Sequence, residues 1–242
     1  MIRVKGGVLF DIDGTLLTGS VLHLAQLGET LSQYLGRDIP IDIEGERPML
    51  AGTDLSGWID VQIVRTVLEA EGPGRPDEAD VAVVMAAFER DYAAAAAERL
   101  RSARVVDGAI ACLERLSAAG NPLGLVTGNA SFVARIKFET LGLDRFFRFH
   151  RDLGFGDWRA DRPAVAAAAV RALVGEGGDV AGVAYVGDTQ RDMQAARAAG
   201  VRPIGVLTGT RTVAQLEQAG ADVVIGSVAD LYPVDERGPS EP

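Results

Sequence analysis

Over the second half of the chain, short apolar runs alternate with stretches of helical periodicity. Residues 122–127, 182–186, 202–207 and 223–225 read as strands. Residues 131–141, 161–174, 189–199 and 213–219 read as helices, the first three closed by Gly142, Gly175 and Gly200. Between them, residues 145–150 read as a short aromatic strand, and near the start Val8-Leu9-Phe10 supplies another apolar run. Continuous apolar strands that alternate with helices predict an α/β fold, a Rossmann-like parallel sheet covered on both faces.

Residues 18–104 follow a different pattern. Residues 21–35 have helical spacing and stop at Gly36. A second helix is expected over 54–70, begun by Thr53 or Asp54 and ended by Gly72-Pro73-Gly74, and a third over 77–101, which carries the run Ala93–Ala97. The one hint of a strand lies near 39–43. The organisation expected is a core of residues 1–17 and 105–235, an inserted all-helical cap of residues 18–104, and a charged, proline-bearing tail, disordered over 236–242. The cap reads either as a lid over a site or as a packing domain.

Composition narrows the partners. Of 242 residues, 48% are hydrophobic and the formal net charge is −10, which argues against nucleic acid or an anionic membrane. No apolar run reaches the roughly 20 residues of a membrane span. The single cysteine, Cys112, sits among apolar neighbours as a core residue and fits a reducing, cytoplasmic setting, and no secretory signal precedes the first strand. In so acidic a chain, a site for an anion must reverse the potential locally. Its basic residues are almost all arginine, Lys5 and Lys137 being the only lysines.

The first apolar run ends in Asp11-Ile12-Asp13-Gly14-Thr15. Two carboxylates at a buried strand end are costly unless a partner neutralises them, and a hard divalent cation such as Mg²⁺ suits oxygen ligands. Thr127-Gly128-Asn129 ends a second strand, and Asp188 follows a third, with Asp192 one helical turn beyond it. In parallel sheets ligands bind at the carboxyl ends of the strands, where these residues fall. Local readings remain beside the functional ones: Thr15 can merely fix its loop, Thr127 or Asn129 can cap the following helix, and Asp192 can cap its own. His23 and His150 lack ligand-spaced partners and read as structural.

In order and placement, Asp11-Ile12-Asp13-Gly14-Thr15, Thr127-Gly128-Asn129, Arg162-Pro163 and Gly187-Asp188-Thr189-Gln190-Arg191-Asp192 resemble the motifs of the haloacid dehalogenase-like superfamily of hydrolases, most of all the phosphoglycolate phosphatase group with its helical cap. The resemblance implies a Mg²⁺-dependent phosphatase acting on a small phosphorylated metabolite through an aspartyl-phosphate. It makes Asp11 the nucleophile and Asp13 the acid and base. Asp11, the Asp13 carbonyl and Asp188 would hold the metal, with Asp192 acting through water or orienting it. Thr127, Gly128 and Asn129 would bind phosphate.

The family's third motif carries a lysine, whereas Lys5 and Lys137 are out of place for it. Arg162 is the replacement expected, as both phosphate ligand and catalytic cation, with Arg159 its rival. Gly52-Thr53-Asp54 falls where the cap's substrate-facing loop is expected. A phosphomutase of the β-phosphoglucomutase kind shares all four motifs and is the alternative. A 2-haloacid dehalogenase or a non-catalytic scaffold fits less well, because Asp11, Asp13 and Asp188 are all present. A monomer or homodimer is expected.

Overall fold

Asp11, Thr127 and Asp188 lie at one edge of a sheet because of the register of three short apolar strands. In the computed structural model, which describes residues 1–149, 153–157, 161–175 and 178–234, the chain opens with β1 (Ile2–Val4), β2 (Val8–Phe10) and β3 (Leu17–Thr18), then enters the insert. The insert comprises α1 (His23–Leu35), β4 (Asp42–Glu44), β5 (Arg47–Leu50), β6 (Thr53–Asp54), α2 (Asp60–Glu71) and α3 (Glu78–Arg99). The chain returns through β7 (Arg104–Val105), α4 (Ala109–Ala118), β8 (Leu123–Leu125) and α5 (Ser131–Leu141). It closes with α6 (Arg162–Val174), β9 (Ala184–Gly187), α7 (Gln190–Ala198), β10 (Arg202–Val206), α8 (Val213–Gln218), β11 (Val223–Ile225) and β12 (Leu231–Pro233).

The central sheet has the order β11-β10-β9-β2-β8, every pairing parallel. Phe10 pairs with Leu125 on one side and Val186 on the other. The bonds Asp11 N to Val186 O and Val126 N to Phe10 O, both 2.9 Å, extend that register to the strand tips. Residues Val8, Leu9 and Phe10 are fully buried, as a strand covered on both faces requires.

Helix ends follow local chemistry. Asp77 caps α3 and Thr189 caps α7 through reciprocal capping boxes, Asp161 caps α6 ahead of Pro163, and Gly142 closes α5 in the left-handed region. Cys112 is buried on α4, and burial pushes its thiol up to about 11.

Several expectations need correction. The insert is not all-helical: β4, β5 and β6 form a three-stranded antiparallel sheet. Its strands are too short for periodicity to register. The second insert helix begins at Asp60 rather than at residue 54, because Thr53–Asp54 pairs with Leu50 and Met49 and the Asp54 carboxylate accepts from Ser56 N at 2.9 Å. The aromatic segment after α5 forms a 3₁₀ turn, Asp144–Phe146, and joins no sheet over its described residues, while His150 lies outside them. At the other end, Leu231–Pro233 adds to β1 as a parallel strand, and residues 236–242 lie outside the described residues.

The insert leaves and rejoins the core through a two-stranded neck in which Leu17 pairs with Val105 and Thr18 with Arg104. It also shares apolar packing with the core. Leu27, Val64, Phe88 and Tyr92 belong to one buried cluster with Phe132 and Val133 of α5, and the Phe88 and Phe132 rings meet edge-on at 5.3 Å. This continuity presses the insert against the open strand ends. Among the described residues, no helix is long and apolar enough to cross a membrane.

Candidate active site

The strand tips and the insert flank a cleft lined from the core by Asp11, Asp13, Thr127, Gly128, Arg162 and Asp188. From the insert come Val21, His23, Glu46, Leu55, Ser56 and Trp58. The expected substrate-facing loop, Gly52-Thr53-Asp54, is not part of this lining. Its place is taken by the β4–β5 turn and residues 55–58, because Thr53–Asp54 is occupied in the small sheet.

The Asp11 side chain is 7% exposed and faces an arginine. Arg162 Nη2 donates to Asp11 Oδ1 at 2.7 Å and to Asp192 Oδ1 at 2.5 Å, and Arg162 Nε donates to the Tyr185 hydroxyl at 3.2 Å. Arg162 reaches this point because α6 starts beside the sheet, with Asp161 as its cap. Burial opposes the guanidinium charge, but Asp192, Tyr185 and Asp11 overcome it and hold Arg162 well above its usual range. Burial pushes Asp11 up to about 7; Arg162 pulls it down, while Asp192 and Asp13 add repulsion.

Asp188 is pushed well above the ordinary carboxylate range by burial and by the charges of Asp11 and Asp192. Carboxylate oxygens of Asp11, Asp188 and Asp192 all lie within 4.8 Å of one another. Three crowded, desolvated acids with one guanidinium between them suit an additional cation, and oxygen-only donors suit Mg²⁺. Asp11 and Asp188 fit as ligands. The Asp192 carboxylate is already occupied: Oδ1 meets Arg162 and Tyr185, and Oδ2 accepts from Thr189 N at 3.0 Å and Thr189 Oγ1 at 2.7 Å. Its geometry therefore joins helix capping to the support of Arg162. Gly14 has φ 81°, and a Cβ there would lie 2.4 Å from Asp188 Oδ2, so the turn requires glycine on both counts. The Thr15 hydroxyl donates to Asp188 Oδ1 at 3.2 Å.

Asp13 meets a second cation, which sequence reasoning set aside. Lys137 Nζ donates to both Asp13 oxygens, at 2.7 and 2.8 Å, and to Asn129 Oδ1 at 2.6 Å, and lies 3.1 Å from His23 Nδ1. His23 Nδ1 also lies 3.3 Å from the Ser20 carbonyl oxygen, and its Nε2 lies 3.7 Å from Asp60 Oδ1. Ser20 also donates to Asp13. Burial alone would raise Asp13, yet Lys137 and His23 hold it down at about 2. Burial lowers Lys137 from its usual value against the opposing pull of Asp13. The available signal was position: Lys137 shares the buried face of α5 with Val133, Ala134 and Phe138, where a lysine needs a partner.

Thr127 and Gly128 face the cleft. Their loop is braced from below, with Thr127 N donating to Gly154 O and Gly156 N to Asn129 O, both at 2.8 Å. Asn129 lines the cleft too, but both ends of its amide are engaged: Nδ2 donates to Asp13 Oδ2 at 2.8 Å and Oδ1 accepts from Lys137. Arg159, the rival cation, lies outside the described residues.

Residues 6–200 match the family model of the haloacid dehalogenase-like hydrolases. The chain belongs to that family. Similar relatives include the phosphoglycolate phosphatase of Rhodospirillum rubrum, 34% identical with 93% of this chain and 88% of that protein covered, and that of Agrobacterium fabrum, 30% identical over 93% and 90%. A hydrolase from Pseudomonas syringae shares the fold, with a TM-score of 0.65, 22% identity and coverage of 93% of this chain and 95% of that one. In this hydrolase the strand-tip acids lie at the carboxyl ends of a parallel sheet, the end at which such sheets in general bind ligands.

Proposed function

We propose that this hydrolase is a Mg²⁺-dependent phosphomonoesterase that transfers the phosphoryl group of a small soluble metabolite to Asp11 and then to water. The observation that carries the reading is the meeting of Asp11 and Asp188 from adjacent strands, close enough to share a cation, with Arg162 2.7 Å from Asp11. When bound between Asp11, Asp188 and the Asp13 carbonyl, Mg²⁺ would supply charge neutralisation for the approach of two anions.

The protein groups divide the remaining work. Asp11 attacks phosphorus, forming an O–P bond as the bond to the leaving oxygen breaks. Arg162 orients Asp11 and offers positive charge to the phosphoryl oxygens, while the Thr127 hydroxyl and the Gly128 N–H bind the oxygens on the other side. Asp13 delivers a proton to the leaving oxygen and later removes one from the attacking water. Its ionised resting form suits the second task, and for the first the ammonium of Lys137 stands directly behind it as a proton source. Asn129 serves by holding Asp13 and Lys137 together. The insert residues exclude bulk water from the transfer.

The test is inorganic phosphate release from p-nitrophenyl phosphate and a panel of metabolite monoesters, with Mg²⁺ and then with chelator. Metal-dependent release that disappears in Asp11→Asn supports the assignment. Isomerisation of a sugar phosphate with little release would assign a mutase, and activity that persists in Asp11→Asn would overturn the nucleophile.

A further inference from the structure

The insert meets the core at one buried carboxylate. Asp60 opens α2 and is 1% exposed. Its backbone N donates to Gly128 O at 2.9 Å, and Val61 N donates to Gly156 O at 3.3 Å. The two segments run so close here that a Cβ on Gly128 would collide with Trp58 O. The insert backbone therefore lies directly on the loop that carries Thr127, Gly128 and Asn129.

The Asp60 carboxylate divides its oxygens between two contacts. Oδ2 accepts from Ala130 N at 2.8 Å. Ala130 is the N-cap of α5 and has no side-chain oxygen for the free N–H groups there, so the insert supplies one acceptor through Asp60, and Asp157 supplies the next at Ser131 N. Oδ1 faces His23, 3.7 Å from Nε2, and the other ring nitrogen lies 3.1 Å from Lys137 Nζ. Lys137 sits about two turns along the same α5 and holds both oxygens of Asp13. Asp60 thus reaches the Asp13–Lys137 pair by two routes, along α5 and across His23.

We propose that Asp60 is a positioning residue for phosphoryl transfer: one oxygen fixes the phosphate-binding loop and the start of α5, and the other fixes His23 against Lys137 and Asp13. The proposal rests on the phosphomonoesterase reading and gives the insert a part in the chemistry beyond the exclusion of water. Docking of the insert sets both halves of the site at once. A displaced loop weakens phosphate binding, whereas a displaced Lys137 slows protonation of the leaving oxygen by Asp13. The two effects are separable. In Asp60→Asn the amide oxygen still accepts from Ala130 N, but the amide nitrogen presents a donor to His23 where an acceptor stood, and the charge is gone. Asp60→Ala loses both contacts.

The experiment measures kcat/KM for p-nitrophenyl phosphate and phenyl phosphate, and Ki for inorganic phosphate, in the full-length Mg²⁺-loaded enzyme. The two esters differ by one ring substituent, and phenolate is the poorer leaving group, so phenyl phosphate depends more on a proton from Asp13. In Asp60→Asn, kcat/KM for phenyl phosphate should fall about tenfold further than for p-nitrophenyl phosphate, with Ki within about twofold of the wild type. In Asp60→Ala, Ki should rise by about fivefold as well, the effect of one lost hydrogen bond. Equal losses on the two esters in Asp60→Asn overturn the proposal and leave Asp60 as a helix cap alone. An unchanged Ki in a folded Asp60→Ala also overturns it. If Asp60→Ala does not fold, the ester comparison in Asp60→Asn decides by itself. Hydrolysis of p-nitrophenyl phosphate that survives Asp11→Asn overturns the phosphomonoesterase reading and the proposal with it, whereas Asp11-dependent hydrolysis leaves that reading standing whatever the Asp60 variants do.

Discussion

Lys137 Nζ lies 2.7 and 2.8 Å from the two carboxylate oxygens of Asp13, a residue 124 positions away in the chain. The lysine is fully buried and the Asp13 side chain is 14% exposed at the cleft, so Lys137 has no water to fall back on and Asp13 has little. Lys137→Met leaves Asp13 as an uncompensated buried charge, and stability is expected to fall by about 3–5 kcal/mol. Asp13→Asn/Lys137→Met should recover most of that loss, because both charges are then gone. Denaturant unfolding of the two single variants and the double variant checks the coupling, and additive losses would show that the pair is not a unit. In turnover, Lys137→Met should lower kcat by about 10²-fold or more with little change in KM, as expected when an acid–base group loses its support.

Asp11 makes a pH-dependent prediction for the metal-free protein. Its folded value of about 7 lies above the ordinary 3.8, so its contribution to stability is complete below 3.8 and is lost as the pH climbs to about 7. Asp11→Asn cannot ionise. In chelator at pH 8 it should therefore unfold at a temperature at least about 4 °C above the wild type, and the gap should narrow toward pH 4. Added Mg²⁺ should raise the wild-type Tm and leave Asp11→Asn nearly unmoved. Differential scanning calorimetry at both pH values decides it, and a gap independent of pH would remove Asp11 as its source.

Arg162 holds three partners, Asp11, Asp192 and Tyr185, with one planar group. Lysine cannot reproduce that fork. Arg162→Ala is expected to cost about 10³-fold in kcat/KM, and Arg162→Lys to recover only part of it. Tyr185→Phe, which removes the hydroxyl beside Asp192 and Arg162, should cost about 1–2 kcal/mol of stability. Arg159→Ala should matter far less to turnover; the opposite ranking would transfer the cationic role to Arg159.

Gly14→Ala tests the turn after the nucleophile. The new Cβ would lie 2.4 Å from Asp188 Oδ2 at a residue with φ 81°. Asp188 must move, so Mg²⁺ affinity measured by titration calorimetry should fall by about tenfold or more, with about 1–2 kcal/mol of backbone strain as well. Unchanged affinity would mean that Asp188 does not bind the metal.

The sequence by itself determined the local units. Apolar runs marked the strands of the parallel sheet, while Asp77, Asp161, Thr189 and Gly142 marked helix ends, because caps and periodicity act within one or two turns. The positions of Asp11, Thr127 and Asp188 at strand ends followed from the same local pattern. Strands β3 to β7 are two to four residues long and exist through their pairing partners, so apart from the hint near 39–43, which overlaps β4, no local signal announced them. Only the tertiary structure decided that Arg162 meets Asp11 across 151 positions, that Lys137 meets Asp13 and that Glu46 enters the cleft. A buried charge chooses its partner by where the packed elements leave it, and that depends on the whole fold rather than on neighbours in the chain.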